Sequence, residues 1–182
     1  MRITGGIARG VPLTVPRSRR VRPTSDLVRN ALFQLLGPSV IDAKVLDLYA
    51  GTGSLGIEAL SRGAAFVDFV EADSQVCKAI ASNKKAAGFE NLGHLYQTKV
   101  SRALEFLVGP YQVILLDPPY KISSFGKTMD KLGSGGLTDA GSLVSVEHAS
   151  RIMMEESYGP LKMLHNRSYG DTTISIYLLK DI

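Results

Sequence analysis

Short apolar segments alternate with amphipathic segments between residues 44 and 116 of this 182-residue chain. The apolar segments predict strands, and the segments whose apolar residues recur every three or four positions predict helices. The predicted strands are 44–49, 66–71, 95–98 and 112–116, and the predicted helices between them are 54–62, 73–87 and 101–107. Strands that alternate with helices form a parallel sheet with both faces covered. The sequence therefore predicts an α/β fold.

The flanks of this region follow different patterns. A helix is predicted at about 26–36, because polar capping residues precede it and a Gly-Pro pair ends it. Residues 121–141 are rich in Gly and Ser and predict a mobile surface loop around a short helix. A strand at 143–147 and an alternating run over 172–178 predict an antiparallel hairpin that closes the sheet.

Composition limits the setting in which the chain works. Hydrophobic residues make up 45% and charged residues 21%, which is ordinary globular usage and excludes a disordered chain. The longest uncharged stretches have eleven residues, too few to cross a bilayer. The single cysteine, Cys77, cannot form an internal disulfide, and the three histidines lie too far apart for a local zinc motif. We expect a cytoplasmic protein without a secretion signal.

The positive charge is concentrated at the start of the chain. Residues 1–30 hold seven arginines, no lysine and one acid, a formal +6, whereas the remainder is −2. Arginine forks bind phosphate oxygens in pairs, so this arm predicts contact with a nucleic acid. A solvated tail that only aids solubility is an equally good interpretation of the composition. We expect a basic N-terminal extension at 1–23 and a single globular domain at 24–182.

A glycine motif lies between the first predicted strand and the helix that follows it. Gly51, Gly53 and Gly56 form a GxGxxG pattern, and glycines there let a ligand approach the backbone. Glu71 ends the next strand, 20 residues beyond Gly51, where a carboxylate accepts hydrogen bonds from ribose hydroxyls. The pattern predicts a cofactor that contains a nucleoside.

Asp47 precedes the glycine motif at the carboxyl end of the first strand. A carboxylate there would repel the pyrophosphate of NAD, whereas S-adenosylmethionine carries an ammonium and a sulfonium group and no phosphate. We therefore expect S-adenosylmethionine rather than a dinucleotide.

A second motif, Asp117-Pro118-Pro119-Tyr120, follows the apolar strand 113–116 and is predicted at the same edge of the sheet. Prolines fix the turn and donate no hydrogen bond, so the Asp117 carboxylate and the Pro118 carbonyl are a pair of acceptors. Two acceptors suit the two hydrogens of a planar exocyclic amine, and the Tyr120 ring can stack on a base. The motif predicts methyl transfer to an amine nitrogen.

The tetrapeptide resembles the hallmark of amino-methyltransferases, and a closer resemblance spans nearly the whole chain. The sequence is similar to the bacterial 16S ribosomal RNA guanine-N2 methyltransferase family. The resemblance is carried by residues 2–6 with Arg9 and Gly10, by Arg22-Pro23-Thr24 with Asp26, Val28 and Arg29, and by 47–64, Glu71, Asn83 and 117–120.

This resemblance implies a Rossmann-like class I methyltransferase with a mostly parallel seven-stranded sheet. It implies methylation of the exocyclic N2 of one guanosine in 16S rRNA, presented as RNA or in an assembling small ribosomal subunit, by a monomer that needs no metal. The implied catalytic residues are Asp117, Pro118, Pro119 and Tyr120. The implied cofactor-binding residues are Asp47, Tyr49, Gly51, Gly53, Glu71, Ala72 and Val100. The resemblance also implies that Arg22-Pro23-Thr24 and the helix that follows help cover the active site. From the charge of the arm, the expected RNA-binding residues are Arg17, Arg19, Arg20, Arg22 and Thr24.

Two positions depart from the family's pattern. Lys99 stands where an acid or Asn usually contacts the adenine amine, and a lysine cannot accept that hydrogen bond, so the backbone near Val100 is expected to bind adenine. Asn30 stands where the family usually has Glu.

Two other functions compete with this interpretation. The tetrapeptide does not name its base, so a DNA adenine or cytosine amino-methyltransferase is one alternative, although 182 residues leave no separate target-recognition domain. An RNA-binding ribosome assembly factor without activity is the other, although the 117–120 motif carries no defect.

Overall fold

The computed structural model describes residues 1–16, 25–119 and 125–180. Its strands are β1 Lys44–Leu48, β2 Phe66–Glu71, β3 Leu95–Gln97, β4 Val113–Leu116, β5 Leu143–Ala149, β6 Ser157–Tyr158, β7 Leu161–Tyr169 and β8 Thr172–Leu179. They form one sheet in the order β3-β2-β1-β4-β5-β8-β7-β6. The helices are α1 Asp26–Leu36, α2 Ser54–Ser61, α3 Ser74–Ala86, α4 Val100–Phe106 and α5 Phe125–Ser134, and a 3₁₀ turn, Gly37–Val40, follows α1.

The sheet has the predicted organisation, with one more strand than expected. Strands β1 to β5 run parallel, and β8 pairs antiparallel with β5 and with β7. The expected count of seven strands was wrong because β6, two residues long, adds an eighth at the edge beside β7. A strand of two residues is too short to show the alternation of apolar and polar side chains from which strands are predicted. No helix in the described ranges is long and apolar enough to span a membrane.

The region expected to be a mobile loop around a short helix contains an element of the core. Helix α5 spans ten residues, and its Met129 and Leu132 side chains are fully buried. Its apolar positions are separated by polar and Gly residues, so composition indicated a loop more strongly than a packed helix.

Alternate residues of the central strands pack in two separate cores. Val45, Val113 and Leu115 belong to the core beneath α1, α2 and α3, whereas Leu46 and Leu116 belong to the core beneath α4 and α5. Because both faces are buried, the strands read as continuous apolar runs.

The first sixteen residues pack against the domain. Arg2 and Pro12 form a β-bridge, and Ile3 and Leu13 are buried in the core beneath α1 to α3. The Thr14 amide donates to the Asn83 side-chain oxygen on α3 at 2.7 Å. The residues between this segment and α1, which include Arg17, Arg19, Arg20, Arg22 and Thr24, lie outside the described residues, and the division at residue 23 stays a prediction.

A buried carboxylate joins the N-terminal segment to α1 and α2. Glu58 on α2 accepts hydrogen bonds from the Thr4 amide and hydroxyl, each at 2.8 Å. Its oxygens also lie 3.3 Å from Arg29 Nε and 2.8 Å from Arg62 Nε. Arg62 donates in addition to the Asn30 side chain, which gives that departure from the family's pattern a structural partner. Glu58 therefore fixes the position of the segment.

Arg29 is the arm's seventh arginine, and it is a structural residue. Its side chain is fully buried and donates to the Arg2 carbonyl and to the Asp26 carboxylate. Its charge is taken up by Asp26 and Glu58, so it is not available to a phosphate.

We expect Glu58→Gln to lower the free energy of unfolding by about 3 to 5 kcal/mol, because the fully buried Arg29 loses its buried counter-charge and keeps only Asp26, which is 60% exposed. Urea unfolding at neutral pH measures the loss, and Glu90→Gln at an exposed position is the matched control, with a change within about 0.5 kcal/mol. A loss below about 1 kcal/mol, as for an exposed ion pair, would contradict this role for Glu58.

Candidate active site

Three acidic residues lie level with one another at the carboxyl edge of the sheet. Across neighbouring strands, Val70 pairs with Leu48, Leu48 with Leu116, and Leu116 with Val146. The residues that follow on β2, β4 and β5 are Glu71, Asp117 and Glu147. Val70, Leu116 and Val146 face the core beneath α4 and α5, so the acidic side chains at the next positions face the opposite side, toward α1 to α3.

A cleft of about 1240 Å³ opens at this edge. Most of the site residues expected from the sequence and described by the structure line it. Those residues are Tyr49, Gly51, Glu71, Ala72, Val100, Asp117, Pro118 and Pro119. Asp47 and Gly53 are not part of the lining, and Tyr120 lies outside the described residues.

The Glu71 carboxylate is fixed by two backbone amides. Gly51 donates to one of its oxygens at 3.0 Å, and Asp73 donates to the other at 2.8 Å. A carboxylate oxygen can accept two hydrogen bonds, so each retains an acceptor position. Glu71 is therefore oriented at the cleft wall with acceptor capacity left for a ligand's hydroxyl groups.

The glycine motif makes a tight connection from β1 to α2. Gly53 caps α2 in the left-handed conformation with φ of 77°, which glycine adopts without a steric penalty. Tyr49 also has a positive φ, 60°, an uncommon conformation for a residue with a side chain. Burial raises the pKa of the Tyr49 hydroxyl, and a hydrogen bond with Thr128 on α5 opposes that rise.

Close packing explains the third glycine of the motif. A Cβ atom at Gly56 would collide with the Phe69 ring and lie 2.9 Å from the Asp47 carboxylate. The Gly56 amide donates to that carboxylate at 2.9 Å. Asp47 is only 1% exposed, so it holds the first turn of α2 against β1 from behind the loop. Its predicted contact with the cofactor stays a prediction.

Burial raises the pKa of Asp47 from 3.8 to about 8, and the charges of Asp117 and Glu71 add to the rise, while the Gly56 hydrogen bond opposes it. Asp47 is thus largely uncharged at neutral pH in the ligand-free protein. The repulsion of a pyrophosphate therefore comes from the acidic residues that line the cleft, and not from Asp47. Among the described residues, five acids line the cleft, against Lys99 as the single base.

Several residues that line the cleft were missed in the sequence. Glu147 is 6% exposed and lies within β5, directly after Val146, which pairs with Leu116. The strand predicted from the sequence, 143–147, ended at Glu147, so its position there was an available signal. Ser25 and Val28 lie at the start of α1, the helix that was expected to help cover the site. Other lining residues flank predicted site residues in the sequence, and they are Val70, Asp73, Ser74, Gln75, Val76, Thr98 and Ser101. The remaining missed residues are Thr128 of α5 and, around the β7–β8 turn, Tyr169, Asp171 and Thr172. Their approach to the cleft depends on tertiary packing that no local pattern carries.

Comparison with known proteins places the chain in a family. Residues 1–178 match the family described as "Conserved hypothetical protein 95". The chain belongs to this family. It is 31% identical over 180 residues to "Putative rRNA methyltransferase YlbH" of Bacillus subtilis (strain 168), covering 97% of this chain and 98% of the relative. It is 37% identical over 150 residues to "Ribosomal RNA small subunit methyltransferase D" of Escherichia coli (strain K12), covering 81% and 74%.

Solved structures of similar fold agree with this family. The structure titled "Putative methyltransferase yhhF from Escherichia coli" superposes with a TM-score of 0.89 at 29% identity, covering 99% of this chain and 98% of that one. An RNA methyltransferase from Salinibacter ruber, solved with S-adenosyl-L-homocysteine, has a TM-score of 0.70 at 19% identity, covers 88% of this chain and 95% of that one, and shares the fold. The predicted Rossmann-like methyltransferase fold is confirmed.

The raised pKa of Asp47 gives the protein a measurable pH dependence. Between about pH 4 and pH 8 the native carboxyl holds a proton that the unfolded chain has lost, so stability falls as the pH rises. We expect the unfolding free energy of the wild type to fall relative to Asp47→Asn by up to about 1.4 kcal/mol per pH unit in this window. Urea titrations at three pH values measure this difference, and a difference independent of pH would show that native Asp47 is ionised throughout.

Proposed function

We propose that this protein transfers a methyl group from S-adenosylmethionine to the exocyclic N2 of a guanosine in 16S ribosomal RNA. Methyl transfer to rRNA with S-adenosylmethionine follows from the family, because relatives that match most of this chain are named rRNA methyltransferases. The choice of guanine N2 follows the resemblance of the sequence to the guanine-N2 methyltransferase family, and one observation supports an exocyclic amine as the acceptor. Asp117 and Pro118 stand at the end of β4 in the cleft, level with Glu71.

The cleft suits S-adenosylmethionine by its charge and by its backbone. Its acidic lining favours a ligand with ammonium and sulfonium groups over a pyrophosphate. Glu71 would accept hydrogen bonds from the ribose hydroxyls, and the Gly51 backbone would lie against the ligand. Ala72, Val100 and Lys99 line the same wall, where the adenine would lie with the Val100 backbone as its partner.

The cofactor supplies an electrophilic methyl group on a sulfonium, which becomes a neutral thioether when the methyl group moves to nitrogen. Asp117 would accept a hydrogen from the N2 amine and hold the nitrogen toward the methyl donor. Positive charge develops on that nitrogen during transfer, and the carboxylate stabilises it before a proton leaves. The two prolines fix the turn, so the Pro118 carbonyl would be held as a rigid second acceptor for the other hydrogen of the amine.

The RNA side of the proposal uses Asp117 and residues that the sequence analysis assigns to RNA binding. A base must be unpaired or flipped out of its helix to reach Asp117. Tyr120 would stack on that base, and Arg17, Arg19, Arg20 and Arg22 would bind phosphates. These residues lie outside the described residues, so their roles stay predictions. Ser25 and Val28 of α1, which directly follow the Arg22-Pro23-Thr24 motif, line the cleft wall.

Incubation with labelled S-adenosylmethionine tests the reaction. The substrates are 16S rRNA and small ribosomal particles that lack methyl groups at guanine N2, and the labelled nucleoside is identified after complete hydrolysis. We expect N2-methylguanosine from small-subunit RNA. Label in N6-methyladenosine or a methylated cytidine would move the protein to the alternative class of amino-methyltransferases, and no label in any RNA would contradict the proposal.

Asp117→Asn keeps the size of the side chain and removes its charge. We expect kcat to fall by at least tenfold, equal to about 1.4 kcal/mol of transition-state stabilisation, with little change in calorimetric affinity for S-adenosylhomocysteine. The reason is that the carboxylate acts mainly on charge that appears during transfer. A smaller fall in kcat, or an equal loss of cofactor affinity, would remove Asp117 from the chemical step.

A further inference from the structure

We propose that Glu147 selects the base: its carboxylate accepts the N1–H of the guanine whose N2 amine is held by Asp117, and it thereby rejects bases with a lone pair at that ring position. The inference rests on the proposed function and assigns the specificity of the same site to a residue on the neighbouring strand.

The order of the strands determines which side of Asp117 faces the acceptor. Along the row at the carboxyl edge, Glu71 on β2 comes first, then Tyr49 on β1, Asp117 on β4 and Glu147 on β5. Glu71 marks the cofactor end of the row. Glu147 lies one strand beyond Asp117 on the opposite side, so the acceptor base must occupy the part of the cleft that Glu147 lines.

The spacing of the two acids matches neighbouring groups on one ring. Asp117 and Glu147 follow directly paired residues of adjacent parallel strands, about 4.8 Å apart, and their side chains share a face. Side chains this close converge on adjacent atoms of a small planar ligand. Asp117 at the amine therefore places Glu147 at the ring nitrogen beside it.

The surroundings of Glu147 favour recognition over a solvated charge. The residue is 6% exposed, Ile174 of β8 is its cross-strand partner, and Ser145, two residues earlier on the same face, is 2% exposed. Hydrogen bonds are stronger in such an interior than in water, and a mismatched partner there is costly. A carboxylate in this position discriminates between a donor and a lone pair more sharply than one at the rim.

The chemistry of the bases decides which one two adjacent carboxylates accept. Guanine presents N1–H beside the N2 amine, so both groups are donors. Adenine presents an N1 lone pair beside its N6 amine, and cytosine presents an N3 lone pair beside its N4 amine. An ionised carboxylate only accepts, so Glu147 pairs with guanine and repels the ring nitrogen of the other two.

The probe for this contact is 2-aminopurine, which keeps the amine at position 2, replaces N1–H by a lone pair and also lacks the O6 carbonyl. The change of the base preference in a Glu147 variant, rather than the wild-type preference alone, therefore reports on the Glu147 contact. The guanosine that wild-type protein labels is located first, and RNA or particles are then prepared with 2-aminopurine at that site. We expect wild-type kcat/KM to favour guanine by about tenfold or more. In Glu147→Gln the ratio falls by at least about tenfold, because the amide can donate to the N1 lone pair.

Other variants separate recognition from structure. Glu147→Asp keeps the carboxylate and is expected to keep the preference for guanine at a lower rate. Glu156→Gln removes an exposed carboxylate and controls for weaker repulsion of RNA; its ratio should equal that of the wild type. Melting temperature and S-adenosylhomocysteine affinity are measured for each variant, and Glu147→Gln is expected to match the wild type in both.

The outcomes distinguish this inference from the proposed function. Wild-type protein that forms no N2-methylguanosine overturns the proposed function and the role of Glu147 with it. Wild-type protein that methylates guanine N2 but accepts 2-aminopurine equally well overturns the role of Glu147 alone, whether or not its variants fold. An unchanged ratio in Glu147→Gln, or an equal loss on both bases, overturns it as well.

Discussion

The common register of four parallel strands is the constraint on which the site depends. Strands β2, β1, β4 and β5 are paired so that Val70, Leu48, Leu116 and Val146 lie side by side, and Glu71, Asp117 and Glu147 come directly after Val70, Leu116 and Val146. Side chains one position further on must then share a face. A shift of one residue in β4 would turn Asp117 to the other face and separate it from Glu71. The buried apolar runs that fix this register therefore fix the geometry of the chemistry.

The same register crowds negative charge, and the protein tolerates it in two ways. Asp47, behind the glycine loop, keeps a proton at neutral pH because burial and its acidic neighbours raise its pKa. The carboxylates of the row line the cleft, where Glu71 is held by two backbone amides. A site of this charge suits cationic and amine ligands and is unfavourable for phosphate. Attraction for an RNA backbone must come from elsewhere on the molecule.

The central part of the fold could be predicted because it follows from local patterns. The bounds of β2 agree with the sequence, and those of β1, β3, β4, α2, α3 and α4 agree within one residue, since each apolar segment is bounded by turn residues. The glycine motif and Asp117 were recognisable because both directly follow apolar strands. The burial of Asp47 could not be predicted, because the sequence gives its place near a strand end and not the depth at which it packs against the backbone of Gly56. Glu147 is brought to the cleft by the parallel pairing of β5 with β4, and the β7–β8 turn is brought there by the antiparallel pairing of β8 with β5, both over long sequence distances.

The arginine-rich stretch is flanked on both sides by residues that are fixed to the domain. Thr14 is bonded to Asn83 on α3, and Ser25 caps α1 and lines the cleft, so the chain between Pro16 and Ser25 is attached at both ends. A tail with one free end loses many conformations when it binds, whereas a closed loop has already lost part of that freedom on folding. Tension on the loop from a bound RNA would also be transmitted to the first turn of α1. Contacts of the arginines with RNA would thus be coupled to the shape of the cleft wall.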